Sequence, residues 1–339
     1  MTTLDGQREN LMTRFQRIAI IAFITVEILI FAGAVVRATG SGLGCPDWPF
    51  CYGQWIPPTS ADQIDFAKLN IEKFKARAAR HGRDPSTITP EALRAEFDPV
   101  ATWTEYINRL TSLPVGISMT VLLFASFWQR RASVILGSLA SFLLVGINAW
   151  LGAKVVLSGL HSGTITIHMA LAILLQCALV FTAWRGTAQP WRMSLECAPV
   201  LRPLAWALFA LVVVEGIMGS QVRELTDHLA TTHAGQLRSA WVAELEHSWV
   251  YLVHRSFSWL ILGAGIWFLR ASWLACGRLG WLEKSIFALI IGQMLLGIVL
   301  SQVGIVAVAQ ILHIGLSSLL VSGLFLWLLG STRTSDAVR

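Results

Sequence analysis

Four residues of metal-ligating or related type occupy matched places in the two halves of the chain. Asn108 and His168 are 60 residues apart (168 − 108), and His254 and His313 are 59 residues apart (313 − 254). Each of them lies near the start of an apolar segment. Histidines that face each other across packed membrane helices can hold a haem between them. The spacing therefore predicts two related haem sites, one in each half.

The sequence around these positions repeats as well. The first pair matches the second pair at offsets of 146 (254 − 108) and 145 (313 − 168). The Leu-Gly pair at 151–152 recurs at 296–297, again with an offset of 145 (297 − 152). Unlinked matches that share one offset predict an internal repeat, as is common in polytopic membrane proteins.

The two predicted sites differ in their ligands. His254 and His313 would form a closed, two-histidine site suited to electron transfer, although a single intramembrane histidine is more often a packing or hydrogen-bonding residue. Asparagine is a poor iron ligand. A haem at the first site would therefore be held by His168 alone, opposite Asn108, and one coordination position would stay open for a reaction.

Glu105 is the candidate reactive group at the open site. It lies one helical turn before Asn108 and shares a helix face with Arg109. A carboxylate within a membrane span is costly and indicates a functional residue by default. The alternative is that Glu105 only forms an ion pair with Arg109.

Two arginines are candidates for binding haem propionates. Arg255 needs an anionic partner in lipid, and the alternatives to a propionate are Glu244 and Glu246. Arg37 lies at the outer end of the first span, where it could reach a propionate or extend to the membrane interface.

Two further carboxylates lie within apolar segments, Glu27 in the first and Glu215 in the fifth. Each could transfer protons or pair with a polar group of a neighbouring helix. The sequence leaves these alternatives open.

The elements that position these residues are predicted to be membrane helices. With 55% hydrophobic residues and a mean hydropathy of +0.61, the chain is too apolar for a soluble globular protein. Eight runs are long enough to cross about 30 Å of hydrocarbon as helices. They are 18–36, 102–128, 132–152, 161–183, 201–222, 248–269, 281–303 and 307–330. The predicted fold is therefore an all-α polytopic membrane protein.

The net charge of +6 reflects membrane topology. Basic residues concentrate at the termini and between alternate spans, as at Arg130 and Arg131. The positive-inside rule then places both termini on the cytoplasmic side of the inner (cytoplasmic) membrane. Since topology accounts for the basic residues, we exclude nucleic acid as a partner.

The eight spans divide into two groups of four. An even number of spans in each half makes the halves point the same way, so the repeat is predicted to be parallel. The predicted organisation is a cytoplasmic N-terminus (1–17), an N-terminal four-helix bundle (18–183) that includes a long first external loop (37–101), a cytoplasmic linker (184–200), a C-terminal four-helix bundle (201–330) and a cytoplasmic tail (331–339).

The first part of the external loop, residues 39–58, is rich in Gly, Pro and Trp and is not a regular helix. It contains Cys45 and Cys51 in a compartment where a disulfide can persist. A structural bridge, a redox-active pair and two free thiols remain open alternatives. The cysteines at 177, 197 and 276 are predicted to be unpaired.

The second part of the loop is predicted to contain an amphipathic helix over residues 60–82. Ser60 and Gln63 have the spacing of a capping box, and Gly82 is the predicted stop.

Four segments of the chain resemble haem A synthase, the membrane enzyme that makes haem A from haem O. They are GAVVRATGSGLGCPDWPFCYGQWIPP, TEYINRL, VHRSFSW and QILHIGL, and the resemblance extends from Phe15 to about Leu329. The TGSGLGCPDWP segment is highly specific. The family usually has Glu-x-x-His-Arg in the second span, whereas this chain has Asn108 in place of the histidine.

The resemblance implies oxidation of the C8 methyl group of haem O to a formyl group by successive hydroxylation. It implies that Glu105 is the catalytic glutamate and that Cys45 and Cys51 are the external disulfide pair. It also implies that His168 is the histidine of the substrate site and that His254 and His313 hold the iron of a haem b cofactor. From the residues themselves, Asn108, Arg109 and Arg37 are further candidates for binding the substrate haem, and Arg255 is a candidate for binding haem b.

Haem O is the implied substrate. Haem O synthase and an electron acceptor are candidate partners, and homo-oligomerisation is left open. The alternative function is a b-type membrane cytochrome that only transfers electrons, against which Asn108 and Glu105 argue. A parallel-repeat transporter ranks last, because Pro114 in the second span has no counterpart in the sixth.

Overall fold

The computed structural model of the chain describes residues 12–45, 47–66, 69–80, 84–157, 162–187, 189–193, 198–233 and 236–332. Its α-helices are α1 (Arg14–Ala38), α2 (Ile71–Arg80), α3 (Pro90–Ala95), α4 (Pro99–Gln129), α5 (Ala132–Leu157), α6 (Ser162–Arg185), α7 (Ala198–Thr232), α8 (Val242–His247), α9 (Trp249–Cys276), α10 (Trp281–Ile298) and α11 (Ala307–Gly330). All except α2, α3 and α8 are long and apolar enough to cross a membrane, which makes eight candidate spans. The prediction of an all-α polytopic membrane protein is confirmed.

The spanning helices pack as two groups of four. In the first group α1 contacts α4 and α6, and α5 lies between α4 and α6. In the second group α7 contacts α9 and α11, and α10 lies between α9 and α11. The two groups meet where α11 packs against α1 and α6, and where α6 packs against α7. The parallel orientation of the two groups remains a prediction.

The largest buried apolar cluster of each group lies mainly in the half of the bundle away from the four ligand positions, and a smaller cluster that includes Tyr251 lies at the outer end of the second group. In the first group, buried residues follow Asn108 along α4 and include Val115, Met119 and Leu122. In the second group they follow His254 along α9 and include Ile261 and Phe268. Burying this apolar surface packs one end of each bundle tightly. The ligand positions lie at the opposite end, beyond the packed cores.

Helix caps fix the depth at which two of the site helices begin. The side chain of Asp98 accepts hydrogen bonds from the backbone N–H groups of Val100 and Ala101, and Pro99 occupies the first position of α4. The side chain of Ser248 accepts a hydrogen bond from the N–H of Tyr251 at the start of α9. Such caps satisfy N–H groups that have no partner within the helix.

A buried carboxylate connects the two groups. Glu27 on α1 is 7% exposed, and its two oxygens accept hydrogen bonds of 2.6 Å each from Gln176 on α6 and Ser318 on α11. Of the two alternatives for Glu27, the structure shows the pairing with polar groups of neighbouring helices.

The prediction of an amphipathic helix over residues 60–82 is wrong about where the helix begins. Residues 61–63 form a single 3₁₀ turn, and the α-helix begins only at Ile71. The predicted capping box is absent, because the Gln63 side chain accepts a hydrogen bond from the N–H of Thr59 instead. Ile64 and Phe66 are 3% and 7% exposed, so this stretch packs inward rather than continuing as a surface helix. The predicted stop at Gly82 lies outside the described residues.

One prediction about the remaining cysteines is also wrong. Cys276 is disulfide-bonded, whereas Cys177 is a free thiol as expected. Topology indicates the compartment of a cysteine, but it does not show which cysteines the fold brings together. Cys197 lies outside the described residues, as do residues 1–11 and 333–339 of the predicted cytoplasmic termini.

Candidate functional site

Each of the four predicted ligand positions lies within the first three turns, or about ten residues, of a spanning helix. Asn108 is on α4 and His168 is on α6, in the first group. His254 is on α9 and His313 is on α11, in the second group. Because these helices all begin on the same predicted face of the membrane, the four residues share a similar depth.

In the first group, a glycine of a neighbouring helix faces each ligand position. A β-carbon placed on Gly33 of α1 would lie 4.0 Å from Oδ1 of Asn108. A β-carbon placed on Gly152 of α5 would lie 3.6 Å from Cε1 of His168. The absence of a side chain at these two positions lets each polar group lie close to the next helix.

The second group has the same arrangement. A β-carbon on Gly219 of α7 would lie 3.3 Å from Cε1 of His254. A β-carbon on Gly297 of α10 would lie 3.9 Å from Cε1 of His313. Four polar side chains that each lie against a glycine of a neighbouring helix form a regular pattern across the two groups.

One polar atom of each of these side chains is buried and has no hydrogen bond within the described residues, although that of His254 lies 3.2 Å from a carboxylate oxygen of Glu215. These atoms are Oδ1 of Asn108 and Nδ1 of His168, His254 and His313. A histidine with a structural role in a membrane is normally hydrogen-bonded, because an unpaired polar atom is costly there. The rings are therefore better explained as ligands for a bound group. Buried ring nitrogens at matched positions of facing helices fit a haem.

Glu105 is a buried charged group of the first bundle that is held from two sides. Its side chain is 3% exposed, and one carboxylate oxygen forms an ion pair with the guanidinium of Arg109. The other oxygen accepts a hydrogen bond of 2.8 Å from the backbone N–H of Cys45. The predicted ion pair with Arg109 is thus present, and the external loop holds the carboxylate from the other side.

Arg109 attaches the external loop to α4. Besides Glu105, its guanidinium donates hydrogen bonds to the backbone carbonyls of Cys45 at 2.8 Å, Asp47 at 2.8 Å and Phe50 at 2.9 Å. A guanidinium is suited to this role because it presents several donors in a fixed plane. The sequence indicated Arg109 as a ligand of the substrate haem. It gave no signal that loop carbonyls would occupy this side chain.

Cys45 and Cys51 form the predicted disulfide, and both are fully buried. The Asp47 carboxylate stabilises the enclosed turn by accepting hydrogen bonds of 2.7 Å from the N–H groups of Tyr52 and Gly53. The alternative of two free thiols is therefore wrong.

The loop approaches α4 closely at Gly44. A β-carbon at this position would lie 2.4 Å from the carbonyl oxygen of Ala101, so only glycine fits without a shift of the backbone. The hydroxyl of Thr102 donates a hydrogen bond of 3.0 Å to the carbonyl of Gly44. These contacts hold the disulfide directly above Glu105.

The two candidate propionate-binding arginines lie in different surroundings. Arg255 is exposed on α9 and has no hydrogen bond or ion pair within the described residues, and Glu244 pairs with His233 instead. The guanidinium of Arg37 lies 3.7 Å from the carboxylate of Asp227, an interaction between α1 and α7. Arg37 thus contributes to the contact between the two groups of helices.

The chain is similar to known proteins over most of its length. A family model described as cytochrome oxidase assembly protein matches residues 16–325. The chain belongs to this family. Among the individual relatives, the haem A synthase of Rhodospirillum centenum is 30% identical over 206 residues, which is 58% of this chain and 52% of the relative. The haem A synthase of Methylorubrum populi is 29% identical over 229 residues, or 64% of this chain and 54% of the relative.

A third relative, the haem A synthase of Bacillus cereus, is 27% identical over 179 residues, or 50% of this chain and 45% of the relative. The chain therefore spans about half the length of the curated relatives it matches. The region matched by the family model contains all four predicted ligand positions and the external disulfide segment.

Proposed function

We propose that this protein is a haem A synthase, which oxidises the C8 methyl group of haem O to a formyl group by successive hydroxylation. The observation that carries the proposal is the buried carboxylate of Glu105, held by Arg109 and the N–H of Cys45 one turn before Asn108. The names of the similar proteins from several bacteria support the same activity.

The first bundle is the proposed substrate site. His168 would hold the iron of haem O opposite Asn108, and Arg37 and Arg109 would lie at the outer end, near the propionates. Each hydroxylation would add the oxygen of a water molecule to the carbon and release two protons and two electrons, and loss of water after the second hydroxylation would leave the formyl group. Glu105 would accept a proton beside the reacting carbon, and its fixed position favours proton transfer. The external loop above Glu105 would hold the carboxylate in place during these steps.

The second bundle is the proposed cofactor site. His254 and His313 would hold the iron of haem b, and Arg255 would bind its propionates. When bound, haem b supplies a one-electron carrier beside the substrate site. Arg255 suits this role because its exposed guanidinium has no protein partner within the described residues.

The proposed location is the inner (cytoplasmic) membrane, with both termini in the cytoplasm, in agreement with the positive-inside rule. Haem O synthase would supply the substrate, and a separate acceptor would remove electrons. A b-type cytochrome acting only in electron transfer is not favoured, because it has no need of a buried carboxylate beside an open haem position.

The test is to express the full chain with a haem O synthase in a host that lacks haem A, and to identify the haems extracted from its membranes. Haem A should appear only when both proteins are present. If only haem b and haem O are extracted while the protein is inserted and binds haem, the electron-transfer alternative replaces the proposal.

A further inference from the structure

Glu215 lies inside the spanning helix α7, with its side chain 15% exposed. Its carboxylate oxygen Oε1 lies 3.2 Å from Nδ1 of His254 on α9 and also accepts a hydrogen bond from the hydroxyl of Ser258. No lysine or arginine pairs with it within the described part of the chain. A carboxylate in a membrane without a basic partner is costly, so its position against one histidine ring needs an explanation.

The helix α7 contacts the His254 ring at two places one turn apart. Glu215 lies beside Nδ1, and Gly219 leaves the space in which the ring lies, since a β-carbon there would be 3.3 Å from Cε1. Ser258, one turn beyond His254 on α9, donates to the carbonyl of His254 at 3.0 Å and to the Glu215 carboxylate. The ring is thus placed by both helices.

The carboxylate is specific to this one histidine. Neither His168 nor His313 has an ion pair with a carboxylate in the described ranges, although Nδ1 of both rings is buried and without a hydrogen bond. The equivalent of Glu215 in the first half is Leu29, because Gly33 and Gly219 match at an offset of 186 (219 − 33) and 215 − 186 is 29. The first half therefore has a leucine where its ligand position is Asn108.

We infer that Glu215 is a positioning residue for His254 and that it lowers the reduction potential of the haem held there. This inference rests on the proposed cofactor site. A carboxylate beside Nδ1 keeps the ring proton on that nitrogen and leaves the lone pair of Nε2 free for iron. It also makes the imidazole a stronger donor, and a stronger donor favours oxidised over reduced iron.

The test is a redox titration of the low-spin haem in the purified full chain, with haem content measured on the same samples. Glu215→Ala should favour the reduced form by about tenfold, which for one electron is an upward shift of about 59 mV. Glu215→Gln, whose amide oxygen still accepts a hydrogen bond, should give a smaller upward shift of the potential. This second variant keeps the test valid if the alanine variant does not fold. The matched control is Glu27→Gln, the same change at a buried carboxylate that contacts neither ligand, which should leave the potential unchanged.

The failures of this inference and of the proposed site are distinguishable. If His254→Ala keeps the low-spin haem, the proposed ligation is wrong, and the role of Glu215 falls with it. If His254→Ala loses the low-spin haem while both Glu215 variants keep the unmodified potential and haem content, only the role of Glu215 is overturned.

Discussion

The backbone N–H of Cys45 donates a hydrogen bond of 2.8 Å to the carboxylate of Glu105. One half of the external disulfide is therefore attached directly to the proposed catalytic group. The bond is buried, and Arg109 reinforces it by donating to both the Glu105 carboxylate and the carbonyl of Cys45. Changes to the disulfide and changes to the carboxylate should therefore have related effects on the reaction.

Replacement of Glu105 by Ala should stop formation of haem A without removing haem b. Loss of a positioned proton acceptor lowers a rate by about a hundredfold or more. Haem O or its hydroxylated form should accumulate, as measured by chromatography of extracted haems. Glu27→Gln serves as the control for loss of a buried carboxylate. If Glu105→Ala makes haem A at the unmodified rate, the carboxylate is only the partner of Arg109.

Replacement of His254 or His313 by Ala should abolish the low-spin absorbance of the purified protein while the protein still inserts. The reason is that a low-spin haem needs strong ligands on both faces of its iron. Membrane content measured by immunoblot gives the control for insertion. A full low-spin spectrum in both variants would contradict the assignment of these residues as ligands.

Asn108→His should be tolerated and should shift the first site towards a low-spin, two-histidine spectrum. At the equivalent position, the ring of His254 lies against Gly219, where an added β-carbon would be 3.3 Å from Cε1. A β-carbon added to Gly33 would be 4.0 Å from Oδ1 of Asn108, so the space at the first site is at least as large. Closing the open position should also lower the rate of haem A formation. An unchanged spectrum with bound substrate haem would show that residue 108 does not face the iron.

Replacement of Cys45 and Cys51 by Ser should lower haem A formation more than it lowers stability. A bridge that closes so short a loop contributes roughly 2–3 kcal/mol to stability, whereas the N–H of Cys45 also holds the Glu105 carboxylate. Activity and thermal stability should be measured on the same preparation, with Cys177→Ala as the control for a free thiol. Equal losses of activity and of folded protein would favour a structural bridge.

Gly44→Ala should displace the disulfide loop from α4. The added carbon would lie 2.4 Å from the carbonyl oxygen of Ala101, and backbone cannot move aside as a side chain can. We expect a loss of haem A formation similar to that of the Cys→Ser variants, although both cysteines are intact. Gly116→Ala, which meets nothing within 4 Å, is the matched control. Full activity of Gly44→Ala would show that the loop position is not required.

The sequence by itself determined the membrane helices and indicated the four candidate ligand positions. Both depend on local properties, because apolar runs form helices in lipid and residues three or four apart share a helix face. The disulfide was likewise among its predictions. The prediction from the sequence was wrong where the local pattern disagrees with the packing. At residues 60–70 the pattern favoured a helix, but Ile64 and Phe66 pack inward and the helix begins only at Ile71.

Only the tertiary structure decided which side chains meet across helices. The contact of Cys45 with Glu105 joins residues 60 positions apart, and Glu215 meets His254 from another helix. Helical periodicity predicts which face a residue occupies, but the rotation and spacing of two packed helices depend on all the side chains between them. For that reason the loop above Glu105, the carboxylate beside His254 and the glycines facing the ligand positions could be read only from the folded chain.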